Sequence, residues 1–414
     1  MPSKPMKPKT RLREADLRGA VRLATDATTG LTDLVEAMHE RIARFPGLSA
    51  SAPDGRTGGV TGLVYKTIRG VTRIVGGSLD ALLGLLAPAL GAQDPSAERE
   101  AIVAALNGVL GDYLAASNNP LATTLALRSN GRALPLESAA LAARLPNAGG
   151  DVLVLLHGLC MGDLQWSRAT STTSTGSHDH GAALARELGF TPIYLLYNSG
   201  LHVSINGHAL AQLLERQLDA WPQKVKRVVL LGHSMGGLVA RSACHYASQA
   251  GMNWPARVSD IVFLGTPHHG APLERAGHWV DIVLGATPYA APFARLGKVR
   301  SAGITDLRHG NLLDEDWVGR NRFARGPDRR QPLPLPGGVR CFAVAACLGA
   351  QGDGVKSHLL GDGLVPMSSA LGRHADPLRA LGFPEDRQWV GYGMNHMELL
   401  GRVEVFERLK EWLR

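Results

Sequence analysis

Residues 232–236 read Gly-His-Ser-Met-Gly, with Ser234 between two glycines. A bare G-x-S-x-G is weak in a chain with 49 glycines, so its surroundings decide. "VVLL" before it reads as a buried strand, and "GLVARSACHYA" after it reads as a helix. A serine on such a turn lifts its hydroxyl toward the positive end of the helix, which is the setting of a nucleophile. The rival reading is a serine N-cap after a glycine turn.

A serine attacking an ester carbonyl needs donors for the developing oxyanion. The backbone N–H of Met235 is one. "LLHGLCMGD" (155–163) offers the other: a buried strand ends at His157-Gly158 and the turn exposes the amide of Leu159, with Cys160 next in line. His157 is read as a brace for that loop. A general base and an acid must complete the set. Histidines follow Ser234 at eight positions, and Gly-Asp-Gly occurs twice, around Asp353 and Asp362.

Strands and helices must position these groups. From residue 121 the chain alternates between them. "LATTLALRSNGRALPL" is a hairpin around Asn130-Gly131. Strands follow at 151–158, 191–198, 225–234, 258–267, 339–349 and 387–393. Helices follow at 206–221, 236–249 and from Met397 to the end. Apolar strands alternating with helices predict a mostly parallel, doubly wound sheet covered on both faces. Residues 268–338 break the rhythm and read as a cap or lid insertion.

"VLLHGL", "LGHSMGGLVAR", "LGTPHHG", "GDGLVP" and "MNHMELL", in this order, resemble the α/β-hydrolase superfamily. Within it the chain is most similar to bacterial esterases and lipases and to lipase-like inositol deacylases. The resemblance covers about residues 120–414. It leaves the N-terminal helices and the 268–338 insertion outside. It implies a nucleophile, acid and histidine in that order along the chain. His396, on the loop after the last strand, then takes the base role. Asp353 lies nearer the end of the preceding strand, but "GDGLVP" resembles the acid loop of the family. Asp362 is therefore preferred as acid and Asp353 as a turn residue. The expected chemistry is ester hydrolysis through Ser234, Asp362 and His396, with Leu159 and Met235 as oxyanion donors.

Trp166, His268 and Trp279 are candidate substrate-binding residues, with Val280, Ile282 and Leu284 as apolar lining; packing of the insertion against the core is the equal alternative. His268 and His269 are adjacent, so their side chains diverge and no third ligand sits at metal spacing. No metal or other cofactor is expected. A small-molecule or lipid ester is the expected partner. A thioesterase or amidase on the same triad is the closest rival. A non-enzymatic, membrane-associated interaction protein is a rival of another class.

Residues 1–118 read as a helical extension and 119–414 as the hydrolase core. Apolar positions Leu31, Leu34, Val35, Met38 and Ile42 mark one helix. Ile102, Leu106, Val109, Leu110 and Tyr113 mark another, opened by Asp94 and Pro95. The net charge of +8 is partly due to a basic arm, Lys4 to Arg22, which reads as a solvated terminus. Peripheral lipid contact through this arm and segment 57–92 is the sharper alternative. No DNA- or RNA-binding motif follows, so nucleic acid is not expected. No apolar stretch after the basic start reads as a secretory signal, and none is long enough to span a bilayer. Four cysteines without CxxC spacing read as buried reduced thiols. A cytoplasmic location follows as the expectation.

Overall fold

The computed structural model describes residues 97–169, 177–271, 301–321, 328–351 and 361–414. The basic arm, the helix expected at 31–45, segment 57–92, Asp94, Pro95, Trp279 and Asp353 lie outside them.

The alternation expected from residue 121 onward forms one eight-stranded sheet among the described residues. Its strands are β1 (Ala126–Ser129), β2 (Arg132–Ala133), β3 (Asp151–Leu156), β4 (Thr191–Leu196), β5 (Arg227–His233), β6 (Val258–Leu264), β7 (Arg340–Cys347) and β8 (Gln388–Tyr392). Their order across the sheet is β8-β7-β6-β5-β3-β4-β1-β2. β3 to β8 pair in parallel, and β1 runs antiparallel to both β4 and β2. The hairpin between β1 and β2 turns at Asn130 and Gly131, both with positive φ, as an Asn-Gly turn requires. Runs such as "VLVLL" in β3 have no exposed face, because helices cover both sides of the parallel strands.

The helices are α1 (Ala97–Ala116), α2 (Ser138–Arg144), α3 (His180–Leu188), α4 (Val203–Asp219), α5 (Met235–Gln249), α6 (Ala302–Asp306), α7 (Met367–Ala370) and α8 (Val403–Leu413). α1 joins the core through Ile102, Leu106, Val109 and Leu114. Tyr113, expected on its apolar stripe, is instead exposed. The final helix is not continuous: a 3-10 turn at His396–Leu400 precedes α8, with Gly401 between them. Among the described residues, no helix is long and apolar enough to cross a membrane.

Within the insertion, residues 301–316 pack into the core, while 317–321 and 328–338 are mostly exposed or half-buried. Ile304, Leu307, Leu312 and Leu313 are buried in the main apolar cluster. Ser242 Oγ donates to Leu312 O, and Asp314 N donates to Tyr246 Oη. Two contacts fasten α6 to the start of α4. His202 pairs with Asp306 at 3.0 Å, and Val203 N donates to Asp306 Oδ2 at 2.8 Å. Nothing in residue spacing marks a pair separated by more than a hundred positions. All four cysteines are free thiols and buried.

Candidate active site

Ser234 stands between β5 and α5 with φ 54° and ψ −123°, a conformation that costs a non-glycine residue steric strain. The surroundings leave no room to relax it. A Cβ on Gly236 would lie 2.3 Å from Leu156 O, and one on Gly232 would lie 2.5 Å from Gly237 N. Ser234 N donates to Leu264 O at 2.8 Å, which ties the turn to the end of β6. Ser234 Oγ is buried and has no hydrogen-bond partner among the described residues.

Asp362 and His396 meet from two different loops. Asp362 Oδ2 accepts from His396 Nδ1 at 2.6 Å, and both side chains are buried. The carboxylate is itself fixed: Oδ1 accepts from Leu364 N at 2.9 Å and from Val365 N at 2.7 Å. His396 N donates to Asp362 O at 3.2 Å, so backbone as well as side chain joins the loops. An ionised carboxylate only accepts, so Nδ1 carries the hydrogen and Nε2 is the basic nitrogen of the neutral ring.

The imidazole of His396 packs where β6 ends. A Cβ on Gly265 would lie 3.0 Å from His396 Nδ1 and from Cε1. Ser234, bonded to Leu264, and His396, packed on Gly265, thus converge on one point. His233 adds a contact between them, with Nε2 and His396 O 3.2 Å apart.

The loop after β3 also reaches Ser234. A Cβ on Gly158 would come within 3.1 Å of Ser234 Cβ. Cys160 has φ 58° and donates its N–H to Ser199 Oγ at 3.0 Å, so that amide is committed. The amides of Leu159 and Met235 donate to no described protein acceptor. His157 does brace the loop: Tyr197 N donates to its Nε2 at 3.3 Å, and its Nδ1 lies 2.8 Å from Gly158 O. Tyr197 stacks on the ring at 4.2 Å and donates its hydroxyl to His157 O. Burial lowers the His157 pKa to about 4, so the ring is neutral at pH 7. Burial also pushes the Cys160 thiol up to about 12, which removes it as a rival nucleophile.

One supporting element lay beyond sequence reasoning. α1 packs directly on the loop after β3. A Cβ on Gly108 would lie 2.1 Å from Cys160 Sγ and 2.7 Å from Cys160 Cα. Gly111 approaches Asn198 equally closely, and Asn198 Nδ2 donates to Gly111 O at 2.9 Å. Ser301 Oγ donates to Gly108 O at 2.6 Å and locks α6 onto the same helix. Gly108 and Gly111 are spaced like other helical small residues, and their partner stretch is known only once the chain is folded.

Two of the three substrate-binding candidates are placed differently from expectation. Trp166 is fully buried among Leu153, Leu155 and Met161, and it meets His233 edge-on at 6.4 Å. It supports the turn from beneath instead of facing an open cavity. His268 is fully buried against Phe263 and Phe383, with Arg241 Nη1 3.3 Å from its Nδ1. Burial first, and then Arg241, drives its pKa well below the ordinary histidine value. His269, its neighbour, faces a cavity instead. Trp279 lies outside the described residues.

Residues 147–326 match the family described as PGAP1-like alpha/beta domain. That segment carries the loop after β3 and Ser234; Asp362 and His396 lie beyond it. A lipase of Bacillus licheniformis is 18% identical, with 70% of this chain and 98% of that one covered and a TM-score of 0.40. A lipase of Staphylococcus hyicus is 14% identical, covering 64% and 96% at a TM-score of 0.35. An esterase of Pyrobaculum calidifontis is 13% identical, covering 64% and 74% at a TM-score of 0.36. No curated protein matches the chain. The sheet order is that of a doubly wound fold of the α/β-hydrolase type, and the family match over residues 147–326 agrees with the motifs.

Proposed function

We propose that the protein is a serine hydrolase of carboxylic esters, with lipid-like or acyl esters as substrates. The observation that carries this reading is the buried 2.6 Å pair between Asp362 and His396, set beside the strained turn of Ser234. A carboxylate on Nδ1 leaves Nε2 to take a proton, and Ser234 Oγ, buried without a hydrogen-bond partner among the described residues, is the hydroxyl it would serve.

In the proposed reaction, Ser234 Oγ attacks the ester carbonyl carbon while its proton passes to His396 Nε2. The amides of Met235 and Leu159 hold the negative oxygen. The carbon–oxygen bond to the leaving alcohol breaks, and His396 returns the proton to that oxygen. Water then repeats the attack on the acyl-serine, with His396 again taking and returning one proton. Asp362 keeps its charge throughout and holds the imidazole in orientation. The Ser–His hydrogen bond is absent here; such contacts often close only around bound substrate.

The test is fluorophosphonate labelling followed by a chain-length series of p-nitrophenyl esters. Labelling at Ser234 and hydrolysis that Ser234→Ala abolishes are expected. A folded Ser234→Ala protein with full activity would sink the proposal.

A further inference from the structure

β5 ends with a polar residue at a core position. Side chains alternate along a strand, so Val229, Leu231 and His233 share one face. Val229 and Leu231 belong to a second apolar cluster, with Met161, Trp166 and Leu399. His233 follows them inward and is fully buried. An imidazole there gives up its water, and only protein partners offset that cost. A valine or leucine would fill the position without it.

The contacts of His233 show what the imidazole adds. Its Nε2 donates to the carbonyl of His396 at 3.2 Å. A carbonyl only accepts, so Nε2 carries a hydrogen. The rings of His233 and His396 lie 4.7 Å apart, tilted by 47°. A Cβ on Gly158 would lie 3.1 Å from His233 Nδ1, so the same ring also touches the loop after β3. The backbone of His233 is fixed as well. It pairs with Leu264 between β5 and β6, and the next amide, Ser234 N, donates to Leu264 O at 2.8 Å.

We propose that His233 is a positioning residue for ester hydrolysis, a strut that fixes the distance between nucleophile and base. The inference rests on the proposed roles of Ser234 and His396. Asp362 grips His396 at Nδ1 and sets the rotation of its ring. That bond does not tie the turn to β5. His233 does, because it joins Ser234 through the chain and His396 through its side chain. A shift of the nucleophile then carries the base with it. Removing the donor should loosen this coupling and leave the Asp362–His396 pair and the oxyanion amides in place. Leu399 O, further along the same turn, is held separately by His180 Nε2 at 2.9 Å, so the turn keeps an anchor.

The experiment compares His233→Phe and His233→Gln with the native full chain on p-nitrophenyl acetate. Phenylalanine keeps a ring and removes the donor. Glutamine ends in an amide N–H at about the reach of Nε2. His233→Phe should lower kcat at least about tenfold and leave KM within about twofold of native, because misplaced groups cost turnover and not binding. Fluorophosphonate labelling of Ser234 should slow by a similar factor. His233→Gln should recover most of both rates. A role in packing alone predicts the reverse, an active phenylalanine variant and a less stable glutamine variant. Native kcat in a folded His233→Phe chain, or equal losses in both variants, overturns the strut. Should His233→Phe fail to fold, histidine NMR with labelled ring nitrogens decides on the native chain. The His233 Nε2 signal, assigned by its loss in His233→Gln, should carry a slowly exchanging hydrogen, and a bare Nε2 overturns the contact. A native chain that neither labels nor hydrolyses would instead remove the hydrolase reading itself, so the two failures are distinct.

Discussion

On the side of the loop after β3, where the proposed oxyanion donors lie, backbone presses on backbone. Gly108 of α1 meets Cys160 with no room for a side chain, Gly236 meets Leu156 O, and Cys160 is held at φ 58°. On the histidine side, polar groups meet polar groups. Asp362 accepts from two backbone amides and from His396, while the Asn395 side chain caps the turn that follows. In the proposed reaction, steric contact fixes donors that must stay still while charge develops. Hydrogen bonds fix the proposed base, which must hold one orientation in two protonation states. The two sides should therefore fail differently when they are broken.

The largest effect is expected on the histidine side. Asp362→Asn keeps the shape but removes the charge that selects the tautomer, and it should lower kcat by about 10⁴-fold. Asp353→Asn, in the other Gly-Asp-Gly, should change kcat less than about threefold. Single-turnover kinetics on a p-nitrophenyl ester measures both. A large loss in the Asp353 variant alone would move the acid upstream and leave the observed pair without a role in turnover.

The oxyanion side should break through packing alone. Gly108→Ala puts a methyl group 2.1 Å from Cys160 Sγ, so the loop carrying the Leu159 amide must shift. A displacement on that scale should cost about 10²-fold in kcat. KM should stay nearly unchanged, because the donors act on the charge formed during reaction. A variant that loses stability with native kcat would show that α1 holds the fold and not the site.

Much of this site was legible because short-range pattern carries it. Gly-His-Ser-Met-Gly between an apolar strand and a helix needs no distant contact to be read, and His396 follows from lying after the last strand. The choice of Asp362 used the Val-Pro that follows it, and the two amides donated to Oδ1 are those of Leu364 and Val365. Long-range packing was illegible. Trp166 sits just past the oxyanion loop in sequence, yet its ring turns into the core beneath Ser234. His268, expected to line the pocket, is buried, while His269 beside it faces a cavity. Gly108 carries no local mark, since its function exists only against Cys160. The 268–338 insertion was read from its length, which does not say that Ile304 and Leu307 belong to the core.

Each side also contains a buried neutral histidine, and acid should expose both. His157 braces the oxyanion loop. His180 lies 2.9 Å from Leu399 O through Nε2, on the turn that carries His396. Burial lowers both pKa values to about 4, from an ordinary 6.5. The unfolded chain therefore takes up these protons first as pH falls. Stability is full above about pH 6.5 and declines between there and about pH 4, by roughly 2 kcal/mol per histidine at pH 5. Urea midpoints at pH 7 and pH 5 measure the loss. His157→Gln and His180→Gln should each lower stability at pH 7 and flatten the acid dependence. An undiminished slope in either variant would mean that its imidazole charges without disturbing the fold.

The smallest effect is expected at the cap beside the base. Asn395 Oδ1 accepts from Met397 N at 3.0 Å and Glu398 N at 3.1 Å, and Glu398 Oε2 accepts from Asn395 N at 2.8 Å. Asn395→Ala should cost about 1 kcal/mol of stability. His396 N still donates to Asp362 O in that variant, and Leu399 O still meets His180, so kcat should fall less than about fivefold. A drop approaching that of Asp362→Asn would show that the turn, and not the carboxylate, sets the imidazole orientation, and the histidine side would then be held as sterically as the oxyanion side.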